Sequence, residues 1–136
     1  MMQQEELVRI ARSYIGKIRY ANCEGGPHPQ DPLKGMTYYN FLRLVARESG
    51  IHVPDSTGLQ YVGCWEMWEI LREAEPMNGV AVFFNGRRDG KPAHVGIYTG
   101  DETVIHLSKE RGTVTEDSLV DLERVGAIMG YRLIDD

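Results

Sequence analysis

The stretch AHVGIYTG at residues 93–100, followed by VIH at residues 104–106, decides the fold of this chain. Two short runs rich in β-branched and aromatic residues flank a Gly-Asp turn, a pattern typical of a β-hairpin. His94 opens the first predicted strand and His106 lies on the second, so the hairpin can bring both imidazoles onto one face. A histidine oriented by a second polar residue is half of a Cys–His or Ser–His catalytic device. The other half would be a nucleophile on a preceding helix.

Length and composition indicate one domain spanning residues 1–136. A net charge of −5 argues against nucleic acid as a partner. No apolar run approaches the roughly 20 residues of a membrane span. The polar, acidic start MMQQEE shows no signal peptide, so the cytoplasm is the expected location. Cys23 and Cys64 do not make a disulfide framework, and reduced thiols are the simpler interpretation.

Hydrophobic periodicity predicts helices in the first half of the chain and strands in the second half. The helices are expected over residues 5–17 and 37–48 and in a stretch that opens at residue 54 and runs to residue 71. Consecutive antiparallel strands are expected over 80–84, 93–99 and 103–107, with further strand candidates at 112–114 and 127–134. Helices followed by antiparallel strands indicate an α+β fold, with N-terminal helices packed on an antiparallel sheet of about five strands.

Four motifs, taken in order, resemble the NlpC-type cell-wall peptidases, which are papain-like cysteine hydrolases that cut peptidoglycan stem peptides. They are Tyr20 with Gly25-Gly26, the run PDSTGLQ at 54–60, the run GVAVFF at 79–84, and the histidine strands at 94–106. The resemblance covers nearly the whole chain and implies a papain-like NlpC-type domain. It also implies that His94 descends from a general base and His106 from the residue that orients it.

The chain departs from this family at the nucleophile. The family has Asp-Cys-Ser-Gly at the start of its central helix, and an ungapped count back from Gly50-Ile51 puts Thr37, Tyr38, Tyr39 and Asn40 on those positions. Tyr38 therefore replaces the catalytic cysteine. A phenol with an ordinary pKa of about 10 is a poorer nucleophile towards amides than a thiolate. The dyad of His94 and His106 is then vestigial, and Tyr38 is expected at the first turn of the helix with its side chain directed at His94.

Two replacement nucleophiles are conceivable. Cys23 lies in a loop rich in glycine and proline that borders the cleft in the resembled fold, and a tyrosine nucleophile has precedent in other hydrolases. Cys64 falls on a different helix and is better explained as a small core residue. Cys23 with His28 would make a poor zinc site, so no metal and no other cofactor is expected.

The sequence therefore predicts a catalytically inactive NlpC-type homologue that acts as a binding or regulatory module. Its partner would be a peptidoglycan-like peptide or another protein, contacted by Tyr20, Thr37 and Tyr39 around the cleft. The alternative is an active cell-wall peptide hydrolase or amidase. That enzyme would use Cys23 or a tyrosine as the nucleophile, together with His94 and His106.

Overall fold

The computed structural model of the chain describes residues 2–20, 38–51, 64–85, 92–124 and 126–135; the side chains of residues 2, 38, 39 and 64–66 lie outside this description. Within these ranges the chain forms helices and strands in the following order: α1 (Met2–Ser13), α2 (Tyr38–Glu48), α3 (Cys64–Ile70), β1 (Arg72–Ala74), β2 (Ala81–Asn85), β3 (Pro92–Tyr98), β4 (Thr103–Ser108), β5 (Thr113–Ser118), α4 (Leu119–Glu123) and β6 (Ile128–Leu133).

The strands form one antiparallel sheet in the order β1-β6-β2-β3-β4-β5. The predicted α+β class and the three consecutive antiparallel strands are confirmed, since β2, β3 and β4 are neighbours in the sheet. Both further strand candidates are also present, as β5 and β6. The sheet has six strands rather than about five, because β1 adds three residues at the edge beside β6.

The predicted helix bounds need correction at three places. The helix expected over 5–17 is α1, which ends at Ser13. The chain then turns at Gly16, whose φ is +77° and whose N–H donates to Val114 on β5. The helix expected over 37–48 begins at Tyr38, and residue 37 lies outside the described residues. Of the stretch expected over 54–71, the described part forms α3 and ends at Ile70.

The two faces of the sheet have different partners. Residues of one parity, such as Phe83, Ile97 and Ile105, are buried against α1, α2 and α3. Their neighbours in sequence point to the opposite face, where a smaller apolar cluster around Phe84 and Val104 is covered by Leu119 of α4. Because side chains alternate across a strand, β3, β4 and β5 each contribute one set of residues to the main core and another set to the second face.

Candidate functional site

The β3–β4 hairpin brings the two histidines into contact. Ile97 pairs with Ile105 in the ladder, and this register places His94 and His106 on the second face of the sheet. Nε2 of His94 lies 2.8 Å from Nδ1 of His106, and the two rings are nearly perpendicular at 88°. The prediction that both rings share one face is confirmed. Their function stays a prediction.

Gly96 makes this close approach possible. It lies two residues after His94 on the same face of β3, opposite His106, and a β carbon at this position would collide with Cγ1 of Val104. The same atom would lie 3.0 Å from Cβ of His106, closer than an ordinary van der Waals contact. A side chain here would therefore push β3 and β4 apart at the histidine pair.

Asp117 on β5 extends the pair and was missed by sequence reasoning. Its Oδ2 accepts a hydrogen bond from Nε2 of His106 at 2.8 Å and another from the Thr115 hydroxyl at 2.7 Å. Its Oδ1 lies 3.0 Å from the Arg111 guanidinium. The β4–β5 ladder pairs His106 with Thr115, so Asp117 lies diagonally across from His106. The only signal in the sequence was that β5 is polar and carries an acidic residue at a position that faces the same side of the sheet as His106.

Burial keeps both histidines neutral. It lowers the pKa of His94 to about 3, with a smaller contribution from the nearby His106. Burial also lowers the pKa of His106, although the hydrogen bond and the charge of Asp117 oppose that effect. Burial alone would raise the pKa of Asp117, but hydrogen bonds from Thr115 and His106 outweigh it, so this pKa is lowered. At neutral pH the site therefore holds one carboxylate and two neutral imidazoles.

These three side chains line a cleft of about 800 Å³ on the second face of the sheet. The described residues around it are Phe84, Asn85, Ala93, His94, His106, Ser108, Lys109, Glu110, Arg111, Asp117, Asp121, Leu122, Arg124 and Gly126. The cleft combines an apolar wall, formed by Phe84 and Leu122, with charged groups of both signs. Such a mixture suits a ligand with both apolar and polar parts.

The structure places only some of the other predicted site residues. Tyr38 is the first residue of α2, as expected, but its side chain lies outside the described part of the chain. Cys23 and Thr37 also lie outside it, as does the Tyr39 side chain. Tyr20 is partly buried against the main core, and its N–H donates to Gly112 at 2.9 Å. The ligand-binding roles of Tyr20, Thr37 and Tyr39 stay predictions.

Among the residues that the structure describes, no group of three or more His, Cys, Asp or Glu side chains could hold a metal ion. No helix within the same ranges is long and apolar enough to cross a membrane.

The sequence profile described as the NlpC/P60 family matches residues 25–122, more than half of the chain. The chain belongs to the NlpC/P60 family. The resemblance inferred from the four motifs is thus confirmed. Among curated proteins, no sequence matches this chain.

Solved structures of NlpC/P60 proteins share the fold. A protein similar to lipoprotein from Staphylococcus aureus is 16% identical with a TM-score of 0.73; the match covers 99% of this chain but 42% of that one. The peptidoglycan hydrolase RipB from Mycobacterium tuberculosis is 17% identical with a TM-score of 0.70, over 99% of this chain and 66% of RipB. RipD from the same organism, described as a non-catalytic NlpC/p60 domain protein adapted to peptidoglycan binding, is 10% identical with a TM-score of 0.65, over 98% of this chain and 97% of RipD.

Proposed function

We propose that this NlpC/P60 chain is a catalytically inactive homologue that binds peptidoglycan-like peptides in the cleft beside His94. The observation that carries the proposal is the residue at the start of α2: the helix begins with Tyr38, and the run YYNFLRLVARE contains no cysteine. In the family resemblance, this is the position of the nucleophile.

The electrostatics of the cleft support the loss of cysteine chemistry. A cysteine–histidine device works by moving a proton from the thiol to the imidazole, which yields a thiolate–imidazolium pair. Burial lowers the pKa of His94 to about 3, so this ring resists the proton that the pair requires. A phenol at position 38 would be still harder to ionise than a thiol.

The cleft itself supports peptide binding. It holds an apolar wall at Phe84 and Leu122, and it carries exposed cations and anions at its rim, including Lys109 and Glu110. A peptide with apolar and charged side chains matches this mixed surface. RipD, which has the same fold, provides a precedent, since it is described as non-catalytic and adapted to peptidoglycan binding. A protein partner instead of a peptide, the cytoplasmic location and the single-domain organisation stay predictions.

An active hydrolase is the second candidate, and the intact contact between His94 and His106 favours it. In that enzyme Cys23 or a tyrosine would supply the nucleophile. Peptide cleavage separates the two functions. Purified chain incubated with soluble peptidoglycan fragments should release no peptide detectable by mass spectrometry, whereas the hydrolase would release peptides.

Binding is tested by blocking the cleft. Ala93 is an exposed strand residue that lines the cleft, so Ala93→Trp should fill part of it and weaken binding of the same fragments at least tenfold by calorimetry. Glu73→Trp is the matched control, because Glu73 is also an exposed strand residue but lies on β1 at the far edge of the sheet. Absence of binding by the unmodified chain, or equal affinity in both variants, would contradict the proposal.

A further inference from the structure

His94, His106 and Asp117 form a continuous series of hydrogen-bond contacts along the cleft. We propose that Asp117 is a positioning residue that fixes the tautomers of both histidines, so that each ring carries its proton on Nε2. This role of Asp117 does not depend on whether the cleft binds peptides.

The direction of these hydrogen bonds is set by the Asp117 carboxylate. An ionised Asp117 can only accept hydrogen bonds, so Nε2 of His106, at 2.8 Å from Oδ2, must carry a proton and donate it. The Thr115 hydroxyl uses its proton on the same Oδ2. It cannot then donate to Nε2 of His106, which lies 3.3 Å from the hydroxyl oxygen. Both contacts therefore require the same tautomer of His106.

The tautomer of His94 follows from the tautomer of His106. A neutral His106 with its proton on Nε2 has a lone pair on Nδ1, and that nitrogen lies 2.8 Å from Nε2 of His94. Nε2 of His94 must therefore donate, and its proton is fixed as well. Nδ1 of His94 then carries no proton. Any group that meets this nitrogen has to be a hydrogen-bond donor.

Asp117 is itself held on three sides, so it can fix the direction of the hydrogen bonds that link it to His106 and His94. Arg111 occupies its Oδ1, and Thr115 shares its Oδ2. The backbone is fixed by the β4–β5 ladder, and the next residue, Ser118, caps α4 by accepting a hydrogen bond from the N–H of Asp121. A carboxylate anchored in this way can hold a neighbouring imidazole in one orientation and one tautomer by accepting a hydrogen bond from its ring N–H.

The unmodified protein provides the first test. Two-bond ¹H–¹⁵N correlation spectra at neutral pH distinguish a protonated from an unprotonated ring nitrogen. The chain has four histidines, so assignment by single substitutions is practical. His94 and His106 should both show a protonated Nε2 and an unprotonated Nδ1. A proton on Nδ1 of either ring would overturn the proposal, and this outcome needs no variant to fold.

Asp117→Asn is the second test. Arg111 can only donate, so it should hold the amide oxygen and turn the amide NH₂ towards His106. Nε2 of His106 must then accept, and both histidines should move their protons to Nδ1. The control is Thr115→Val, which removes a hydroxyl but leaves the carboxylate, and it should keep both protons on Nε2. A folded Asp117→Asn protein with both protons still on Nε2 would also overturn the proposal, whereas a structural role alone predicts no inversion.

Discussion

The neutral His94 should make this protein lose stability as the pH falls from 7 to 5. In the unfolded chain a histidine has its ordinary pKa of 6.5, whereas burial and the neighbouring His106 lower the pKa of His94 to about 3 in the fold. Between these two values the unfolded state binds a proton that the folded state does not bind. The free energy of unfolding is therefore highest above pH 6.5 and decreases as the pH drops towards 3.

The size of the effect follows from the pKa difference. At pH 5 the unfolded histidine is about 1.5 pH units below its pKa, and each unit corresponds to about 1.36 kcal/mol, so His94 alone should remove about 2 kcal/mol. Most carboxylates in the unfolded chain stay ionised at pH 5 and contribute little over this range. The pKa of His106 is also lowered, so this ring adds a loss in the same direction.

His94→Gln isolates the contribution of His94, because the Gln side-chain amide can still donate to Nδ1 of His106 but does not titrate. Urea unfolding curves at pH 5, 7 and 8 should give a loss from pH 7 to pH 5 that is about 2 kcal/mol smaller in the variant. Between pH 7 and 8 the two proteins should differ by a nearly constant amount. Equal losses between pH 7 and pH 5 would refute the conclusion that a partly buried, neutral His94 lies in this cleft.

Three further substitutions test the packing and the chemistry. Gly96→Ala should lower the free energy of unfolding by about 1–3 kcal/mol, because the new β carbon collides with buried Val104. Gly50→Ala meets nothing within 4 Å but has a φ of +82°, so thermal melts should show a cost of only about 1 kcal/mol, and a larger loss at Gly50 than at Gly96 would contradict this. Tyr38→Cys should give no peptide cleavage by mass spectrometry, since the lowered pKa of His94 opposes the imidazolium that partners a thiolate. Peptides released by this variant would show that the cleft still supports cysteine catalysis.

The histidine hairpin was predictable because its information is local. Alternating apolar residues and a Gly-Asp turn specify β3 and β4, and the number of residues between His94 and His106 then fixes which face they share. The family motifs supplied the remaining order of elements. The three-residue strand β1 and the five-residue helix α4 were not predicted, because neither is long enough to show a periodic pattern.

Asp117 could not be predicted because its role depends on contacts that are distant in sequence. It is one of 20 acidic residues, and β5 carries a polar sequence in which no single acid stands out. Only the register between β4 and β5 brings its carboxylate to His106 and the Arg111 guanidinium. A one-residue shift in that register would turn the carboxylate to the face that packs against α1, α2 and α3.

The alternation of side chains explains how the cleft would persist under the proposed loss of the cysteine. Ile97 and Ile105 anchor the hairpin to the helices from one face, while His94 and His106 meet on the other face. The residue at the start of α2 belongs to neither set of ladder contacts. Under the proposed function, a change from cysteine to tyrosine there would remove the nucleophile and leave the strand register intact. The hydrogen bond between Asp117 and His106 is set by that register and does not involve the start of α2, so the proposed loss of catalysis is physically compatible with an ordered cleft.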